Sequence, residues 1–413
     1  MTQSTHVAAA ARPAPSYLGS LTALTSLFFM WGLITSLNDI LVPHLKSAFT
    51  LSYVQATLIQ FAFFGAYFVM SLPAGWLVEK LGYKLGIIIG LAIAGIGCLL
   101  FYPAAAAEAY PLFLGALFVL ASGITLLQVA ANPYVTILGP PRTASSRLTL
   151  TQAFNSLGTT IGPTLGTRLI LTSATVGTAA EAALVQKPYL GLAAVLFLIA
   201  VVFVALKLPA IEGSGAAGAT EPRASLWSHR HLVLGVAAIF VYVGGEVAIG
   251  SFLVNFMADP AIAGLSVSEA GGYVSYYWGA AMVGRFVGAA VMWFVRPGRV
   301  LAFNAVAAVV LLAVAMLTAG DTAMWCVLAV GFFNSIMFPT IFALALNGLG
   351  KHTGEGSGVL CMAIVGGALV PVLQGYFADH VGLLHSFVVP LVCYVYIFYY
   401  GLSGHRPVSK PAV

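Results

Sequence analysis

Long apolar stretches alternate with short polar breaks along almost the whole chain. A helix needs about 20 mostly apolar residues to cross a bilayer core. The segments are too long for membrane strands and lack their period-two alternation, which argues against a porin-like barrel. The pattern predicts an all-α membrane protein with twelve transmembrane helices at residues 18–45, 53–79, 85–103, 109–138, 148–174, 188–207, 232–258, 268–295, 300–319, 322–349, 356–379 and 384–402.

The composition agrees with a lipid environment. Charged residues make up 7% of the chain and hydrophobic residues 60%, whereas about 25% of residues are charged in an average soluble domain. A water-soluble enzyme, a nucleic-acid binder and a disordered protein are therefore excluded. The net charge of +5 is spread singly between apolar stretches, so we expect membrane lipid as a partner and no nucleic acid.

The basic residues predict the orientation, because cytoplasmic loops carry an excess of lysine and arginine. With the N-terminus in the cytoplasm, only Lys46 and Lys187 fall outside, while Arg168 and Arg285 lie within spans or near their ends. Both termini are then cytoplasmic. The basic residues on the cytoplasmic side are Arg12, Lys80, Lys84, Arg142, Arg147, Lys207, Arg223, Arg230, Arg296, Arg299, Lys351, Arg406 and Lys410.

A polar segment in the middle of the chain divides the predicted spans six and six. We expect a disordered tail at 1–17, one six-helix half at 18–208, a cytoplasmic linker at 209–231, a second half at 232–402 and a C-terminal tail at 403–413. Several residues recur at an offset of about 210: Gly158 and Gly366, Pro163 and Pro371, Pro133 and Pro339, Lys84 and Arg299. Duplicated halves place a substrate site between them, near the middle of the membrane.

Two acidic residues lie at membrane depth, Asp39 in the first span and Glu246 in the seventh. An unpaired charge there costs about 3 kcal/mol or more, so each must be protonated, paired or bound to a cation. We predict both as cation-coupling residues, with Asn38 as a neighbouring oxygen donor. The alternative for each is a structural hydrogen bond between helices.

Carboxamides and aromatic rings form the second group of candidates. A buried amide without a partner is costly, and amides with carboxylates suit vicinal hydroxyl groups, each of which donates and accepts. Aromatic rings offer flat platforms to the C–H face of a sugar ring, although packing is the alternative for each of them. The predicted substrate-binding residues are Glu246, Gln60, Gln128, Asn132, Gln152, Asn155, Asn334, Trp31, Tyr67 and Trp278.

The segment Gly75-Trp-Leu-Val-Glu-Lys-Leu-Gly-Tyr-Lys84 resembles the cytoplasmic signature between spans two and three of the major facilitator superfamily, with Glu79 where aspartate is commoner. The resemblance implies the twelve-helix major facilitator fold with two pseudo-symmetric halves. It also assigns Gly75, Glu79, Gly82 and Lys84 to a conformational signature loop, and we group Arg285 with them.

Further motifs resemble the fucose/glucose–galactose permease family, over about residues 20–400. They are Trp31-Gly-Leu-Ile-Thr-Ser-Leu-Asn-Asp-Ile-Leu41, Gln128-Val-Ala-Ala-Asn-Pro-Tyr-Val135, Gln152-Ala-Phe-Asn-Ser-Leu-Gly158 and Phe338-Pro-Thr-Ile-Phe342. The resemblance implies cation-coupled import of a monosaccharide across a bacterial inner membrane. Asp39 matches the essential acid of the family, and Asn155 matches a sugar-contacting asparagine.

One departure concerns two acids. Fucose permeases have glutamate where this chain has Gln128 and glutamine where it has Glu246, and both changes resemble the glucose/galactose branch. Because Gln128 does not titrate, either Asp39 is the main proton carrier or Asp39 and nearby oxygens bind sodium. The coupling ion, H⁺ or Na⁺, stays open.

The sequence also bears on functions other than cation-coupled import of a monosaccharide. An uncoupled sugar facilitator, or a symporter of fucose or N-acetylglucosamine, remains an alternative. The sequence has no His-Glu-x-x-His, no Gly-x-Ser-x-Gly and no phosphate-binding Gly-x-x-x-x-Gly-Lys-Ser/Thr motif, so we expect neither an enzyme nor an ATP-driven pump. We expect no cofactor, no metal beyond a sodium ion near Asp39, and a monomer.

Overall fold

The computed structural model describes residues 17–48, 53–107, 109–170, 186–209 and 225–407. Within these ranges, the side chains of residues 37–48, 53–57, 60 and 163–170 lie outside the description. The predictions for the side chains of Asn38, Asp39 and Gln60 therefore fall outside the described residues, as do the predictions for the N-terminal tail and for most of the linker.

The described residues are helical, without a strand, and twelve helices follow one another along the chain. Ten are long and apolar enough to cross a membrane, while α5 and α8 are more polar and carry Arg147 and Arg285. The helices are α1 Leu18–Ala48, α2 Tyr53–Leu81, α3 Tyr83–Ala106, α4 Tyr110–Ile137, α5 Ala144–Ile170, α6 Gln186–Ala205, α7 Arg230–Ala258, α8 Val267–Val291, α9 Pro297–Leu317, α10 Gly320–Leu346, α11 Gly350–Val381 and α12 Leu383–Gly404. The predicted fold class is confirmed, with each helix in its expected place.

The two halves repeat the same close helix contact. A side chain at Gly158 of α5 would collide with the carbonyl of Phe29 in α1, and one at Gly366 of α11 would collide with the carbonyl of Phe240 in α7. Small residues let backbones approach closely, which is how helices associate in lipid. The first and fifth helices of each half therefore pack alike, as expected of a duplicated unit.

The connections between helices lie at two ends of the bundle. We call the end with the α2–α3, α4–α5, α8–α9 and α10–α11 connections the motif face, because it carries the signature loop. The end at which α1, α3, α7, α9 and α11 terminate is the opposite face. The predicted boundaries of the halves and the linker stay a prediction.

Contacts between the halves are found at the motif face. Ser146 of α5 donates a 2.6 Å hydrogen bond to the carbonyl of Ala289 in α8, and Ser357 of α11 donates one of 2.8 Å to the carbonyl of Val129 in α4. Gly75 of α2 lies against the backbone of α11. The halves are thus joined at this end of the molecule.

Candidate functional site

A cavity of about 230 Å³ lies between the two halves. Its volume falls just below the range of about 300–1,000 Å³ that drug-sized ligands occupy, so it suits a smaller solute. Both halves contribute polar and aromatic side chains to it. The lining residues are Trp31, Thr35, Tyr67, Gln128, Gln152 and Asn155 from the first half, and Val243, Glu246, Arg285, Phe338, Pro339 and Ile364 from the second.

The first wall of the cavity contains an amide with a spare acceptor. Gln128 of α4 donates a 2.7 Å hydrogen bond from Nε2 to the hydroxyl of Tyr67 in α2. Its Oε1 is buried and has no partner among the described residues. Buried polar atoms are nearly always hydrogen-bonded, and Gln128 lines the cavity, so this oxygen has acceptor capacity that the described residues leave unused.

Two further amides lie beside it. Nε2 of Gln152 is 3.5 Å from Oδ1 of Asn132, a long and weak hydrogen bond. Nδ2 of Asn132 is buried and has no partner among the described residues. Asn132 supports Gln152 from behind, since only Gln152 is among the lining residues. Asn132 therefore has donor capacity that the described residues do not use.

Asn155 lies one turn from Gln152 on α5, and Nδ2 donates a 2.9 Å hydrogen bond to the carbonyl of Phe28 in α1. Trp31, on the next turn of α1, is buried in the cavity lining and its ring lies 5.4 Å from that of Phe28. The wall thus combines an aromatic surface with three amides, which is the combination predicted from the sequence.

The second wall holds an acid–base pair. Oε1 of Glu246 accepts a 2.8 Å hydrogen bond from the hydroxyl of Tyr242 and lies 4.0 Å from Nη2 of Arg285. The two charged side chains are 14% and 15% exposed, respectively. A charge in a membrane interior needs a partner, and each of these two has the other.

Arg285 also satisfies a backbone carbonyl that a proline leaves free. Pro339 has no N–H, so the carbonyl of Ser335, four residues earlier, lacks the usual helical hydrogen bond. Helix α10 is interrupted there, between Gly320–Asn334 and Met337–Leu346. Nε of Arg285 donates a 3.1 Å hydrogen bond to this carbonyl, which explains how the broken helix is accommodated at membrane depth.

The matching proline of the first half has the same consequence. Pro133 leaves the carbonyl of Val129 without its helical partner, and this carbonyl accepts the hydrogen bond from Ser357. Arg285 likewise reaches the other half, because Nη1 hydrogen-bonds to the hydroxyl of Ser156 in α5. Each of the two carbonyls that a proline leaves free therefore accepts a hydrogen bond from a side chain of another helix. Through Arg285 and Ser357, these hydrogen bonds belong to the contacts that connect the two halves.

The position of Arg285 corrects a prediction. Its predicted place is the signature loop, but it lies inside α8 and lines the central cavity. The reason is that Glu246, Ser335 and Ser156 together offset the cost of placing a guanidinium there. One feature of the sequence indicates this role. Arg285 is a basic residue within a predicted span, and Glu246, an acid in another span, needs a charge partner.

Besides Asn132, two other predicted substrate residues, Asn334 and Trp278, do not line the cavity. Asn334 is buried in the second half and donates hydrogen bonds to the hydroxyls of Tyr277 and Tyr394, at 2.7 and 3.3 Å. Trp278 is seven residues before Arg285 in α8, so it lies two turns, or about 10 Å, closer to the opposite face. Its side chain is exposed and does not line the cavity. Phe338 and Thr35 line the cavity and were missed.

The signature loop has a defined structure at the motif face. Gly82 adopts φ 84° and ψ 164° between α2 and α3, a conformation that glycine reaches without strain. Lys84 donates hydrogen bonds of 2.9 and 2.8 Å to the carbonyls of Val204 and Leu206, at the C-terminal end of α6 where cations are favourable. Glu79, in the last turns of α2, is half-buried.

A larger cavity of about 940 Å³ opens among the connections of the motif face. Its lining includes Glu79, Arg142, Arg296 and Lys351, and it shares no lining residue with the central cavity. The central cavity and the larger cavity at the motif face are therefore separate spaces.

Comparison with known proteins places the chain in a family. Residues 21–371 match the Major Facilitator Superfamily model. A glucose/galactose transporter of Brucella abortus is 59% identical over 95% of both chains, and an L-fucose-proton symporter of Escherichia coli is 36% identical, covering 93% of this chain and 92% of the relative. The crystal structure of FucP in the outward conformation is similar with a TM-score of 0.88 and 34% identity, over 94% of this chain and 99% of that chain. This protein belongs to the Major Facilitator Superfamily.

Proposed function

We propose that this protein is a secondary active transporter that imports a glucose- or galactose-type hexose together with a cation, by alternating access. The observation that carries the proposal is the cavity between the halves, which is lined by Gln128, Gln152 and Asn155. Oε1 of Gln128, and Nδ2 of Asn132 behind the lining, have no partner among the described residues. A hexose presents several hydroxyl groups that both donate and accept. The names of the relatives at 59% and 36% identity support a sugar as the solute.

The sugar would bind between Gln128, Gln152 and Asn155 on one side and Glu246 on the other, with Trp31 as the aromatic platform. All five residues line the cavity. Tyr67 supports this arrangement by accepting the hydrogen bond of Gln128, which holds the amide so that its oxygen is free for the solute. Contacts from both halves let the sugar stabilise their closure around it.

The coupling ion would bind at Asp39, with Asn38 as a neighbouring oxygen donor. Glu246 already has a counter-ion in Arg285, so no additional cation is needed to neutralise it. Asp39 is the other acid that the sequence places at membrane depth, where a charge must be protonated, paired or bound to a cation. A proton is favoured by the relative named L-fucose-proton symporter, and sodium is the alternative. Neutralisation of Asp39 would then allow the loaded protein to change conformation.

Three alternatives follow from the same architecture. Fucose is favoured by the 36% identical relative, and N-acetylglucosamine has the same kind of hydroxyl groups. An uncoupled facilitator would use the same cavity without an ion. We propose no enzymatic activity and no cofactor, because the names of the relatives describe transport.

We further propose that the protein lies in the bacterial inner membrane as a monomer, with the motif face and both termini in the cytoplasm. The thirteen basic residues counted on this side against two outside support the orientation. The proposed halves are residues 18–208 and 232–402, joined by a cytoplasmic linker.

The test is uptake into proteoliposomes across a panel of labelled glucose, galactose, fucose and N-acetylglucosamine, with proton and sodium gradients imposed separately. We expect uphill accumulation of glucose or galactose driven by one gradient. Accumulation of fucose alone would assign the solute to that sugar. Equal uptake with and without either gradient would replace the symporter by a facilitator, and no uptake of any of the sugars would refute the proposed solute class.

A further inference from the structure

The signature sequence of α2 has a second copy at the end of α11. Gly75-Trp-Leu-Val-Glu-Lys-Leu-Gly82 and Gly375-Tyr-Phe-Ala-Asp-His-Val-Gly382 share the spacing glycine, three residues, acid, two residues, glycine. The offset is 300 residues at all three positions. The α2 helix ends at Leu81 and α11 ends at Val381, with the same offset.

The local structures also agree. Gly82 has φ 84° and ψ 164°, and Gly382 has φ 87° and ψ 155°. Gly82 donates its N–H to the carbonyl of Val78 at 2.8 Å, and Gly382 donates to that of Ala378 at 3.1 Å. In both copies the carbonyl of this glycine accepts the first hydrogen bond of the following helix, at 3.1 Å. Because α2 ends at the motif face and α11 at the opposite face, the two copies lie at opposite ends of the molecule.

The first copy is in contact with the other half. A Cβ at Gly75 would lie 3.1 Å from the carbonyl oxygen of Gly354 and 3.3 Å from Cα of Gly358, both in α11. A Cβ at Gly354 would lie 3.3 Å from the backbone nitrogen of Glu79. The first turns of α11 therefore lie directly on the Gly75–Glu79 segment. Glu79 is thus an acid near the N-terminus of α11, a position where a negative charge is electrostatically favourable.

The second copy has no such contact. A Cβ at Gly375 would meet only Cζ of Phe252, at 3.5 Å and in the same half, among the atoms of the described residues. Asp379 is exposed, and within the described part of the chain it has no hydrogen bond or ion pair. The same structural unit is thus engaged at the motif face and unengaged at the opposite face.

We propose that Gly375, Asp379 and Gly382 form a second latch, which closes the opposite face when the motif face opens. The inference rests on the alternating access of the proposed function. The offset of 300 residues identifies the surface that the latch would meet. Positions 354 and 358 of α11, which lie on the first copy, correspond to positions 54 and 58 at the start of α2. In the alternate conformation the first turns of α2 would therefore lie on Gly375 and Asp379.

The sequence makes the two latches unequal. Positions 354 and 358 are glycines, whereas positions 54 and 58 are Val54 and Leu58. Backbones approach most closely where both surfaces carry small residues, so the second latch would have a wider and weaker contact than the first. This inequality favours the conformation seen here, with the motif face joined.

Distances between spin labels test the latch without reference to any sugar. One label pair, at Leu112 and Leu317, reports the opposite face, and another, at Leu81 and Phe294, reports the motif face. All four side chains are exposed. The four native cysteines are first replaced by alanine, and that parent must keep the melting temperature of the native protein. The variants are Gly75→Val, Gly375→Val and the double variant.

Gly75→Val should open the motif face and shorten the opposite-face distance, because a larger side chain collides with the backbone of α11. Adding Gly375→Val should reverse this, lowering the closed opposite-face population by about fivefold, since a two-state equilibrium follows the contacts unique to each state. Gly271→Val is the matched control: Gly271 is an exposed glycine of the same face with no atom within 4 Å, and it should leave the distances unchanged.

The proposal is overturned if the double variant has the distance distributions of Gly75→Val, or if Gly375→Val alone favours closure of the opposite face. Gly375→Ala serves as the milder variant should valine prevent folding, and Ser357→Ala, which removes a hydrogen bond between the halves, then replaces Gly75→Val. If the distances between the labels shift as expected but no sugar is taken up, the proposed solute is refuted and the proposed latch is supported.

Discussion

Arg285 and Glu246 form an ion pair in the wall of the central cavity, with Nη2 and Oε1 4.0 Å apart. Arg285 also contacts Ser335 in its own half and Ser156 in the other. The pair therefore belongs both to the substrate cavity and to the contact between the halves. Its removal should affect sugar binding and conformation together.

A double-mutant cycle tests the pair. Glu246→Gln leaves a guanidinium without its counter-ion, and Arg285→Gln leaves a carboxylate without one, so each should weaken hexose binding strongly. The double variant should recover part of the loss, with a coupling free energy of about 1–3 kcal/mol. Isothermal titration calorimetry measures sugar binding by the parent, the two single variants and the double variant. Strictly additive losses would show that the two side chains act independently.

Gln128 is the residue whose free oxygen we assign to the sugar. Gln128→Leu keeps the side-chain volume but removes this acceptor, and the dissociation constant should rise about tenfold or more, since a lost hydrogen bond to a buried group costs about 1–3 kcal/mol. Tyr67→Phe should have a smaller effect, because it removes only the support of the amide. Unchanged affinity of Gln128→Leu would exclude it from the binding site.

Ser357 joins the halves through a carbonyl that Pro133 leaves free. Ser357→Ala should favour opening of the motif face by about two- to tenfold, the equivalent of a hydrogen bond worth about 0.5–1.5 kcal/mol. The label pair at Leu81 and Phe294 reports the change. Ser122→Ala is the control, because the hydroxyl of Ser122 bonds to a carbonyl of its own helix, at Phe118. Equal shifts in both variants would contradict a role specific to the interface.

The duplicated glycine contact predicts a stability difference. Gly366→Ala places a methyl group against the carbonyl of Phe240, whereas Gly191→Ala meets no atom within 4 Å. Overpacking typically costs about 1–3 kcal/mol, so Gly366→Ala should lower the melting temperature of the purified protein. Gly191→Ala should not. Equal melting temperatures would mean that α7 and α11 move apart without cost.

The helices were predictable because each apolar segment has the length of a bilayer crossing. The prediction of 53–79 for α2 ends two residues before Leu81, and that of 109–138 differs by one residue at each end from Tyr110–Ile137. The interruption of α10 at Ser335 was not predicted. It depends on Arg285, a residue of another helix, to bind the carbonyl that Pro339 leaves free.

The candidate site was predictable by residue type but not by position. Gln128, Gln152 and Asn155 lie together because amides are retained at membrane depth only where they find partners or a ligand. Asn334 has the same chemistry, yet the hydroxyls of Tyr277 and Tyr394 use it within one half. Which amide faces the cavity depends on helix rotation, which the apolar pattern of a single span does not specify.

Cation coupling at Asp39 is the central claim, and uphill hexose uptake by Asp39→Asn in proteoliposomes tests it most directly. We expect this variant to lose accumulation against a gradient while it still exchanges labelled for unlabelled sugar, because the cavity of Gln128, Gln152 and Asn155 is intact. Asp321→Asn, at an exposed acid in the first turn of α10, should accumulate sugar as the parent does. Full accumulation by Asp39→Asn would contradict the claim.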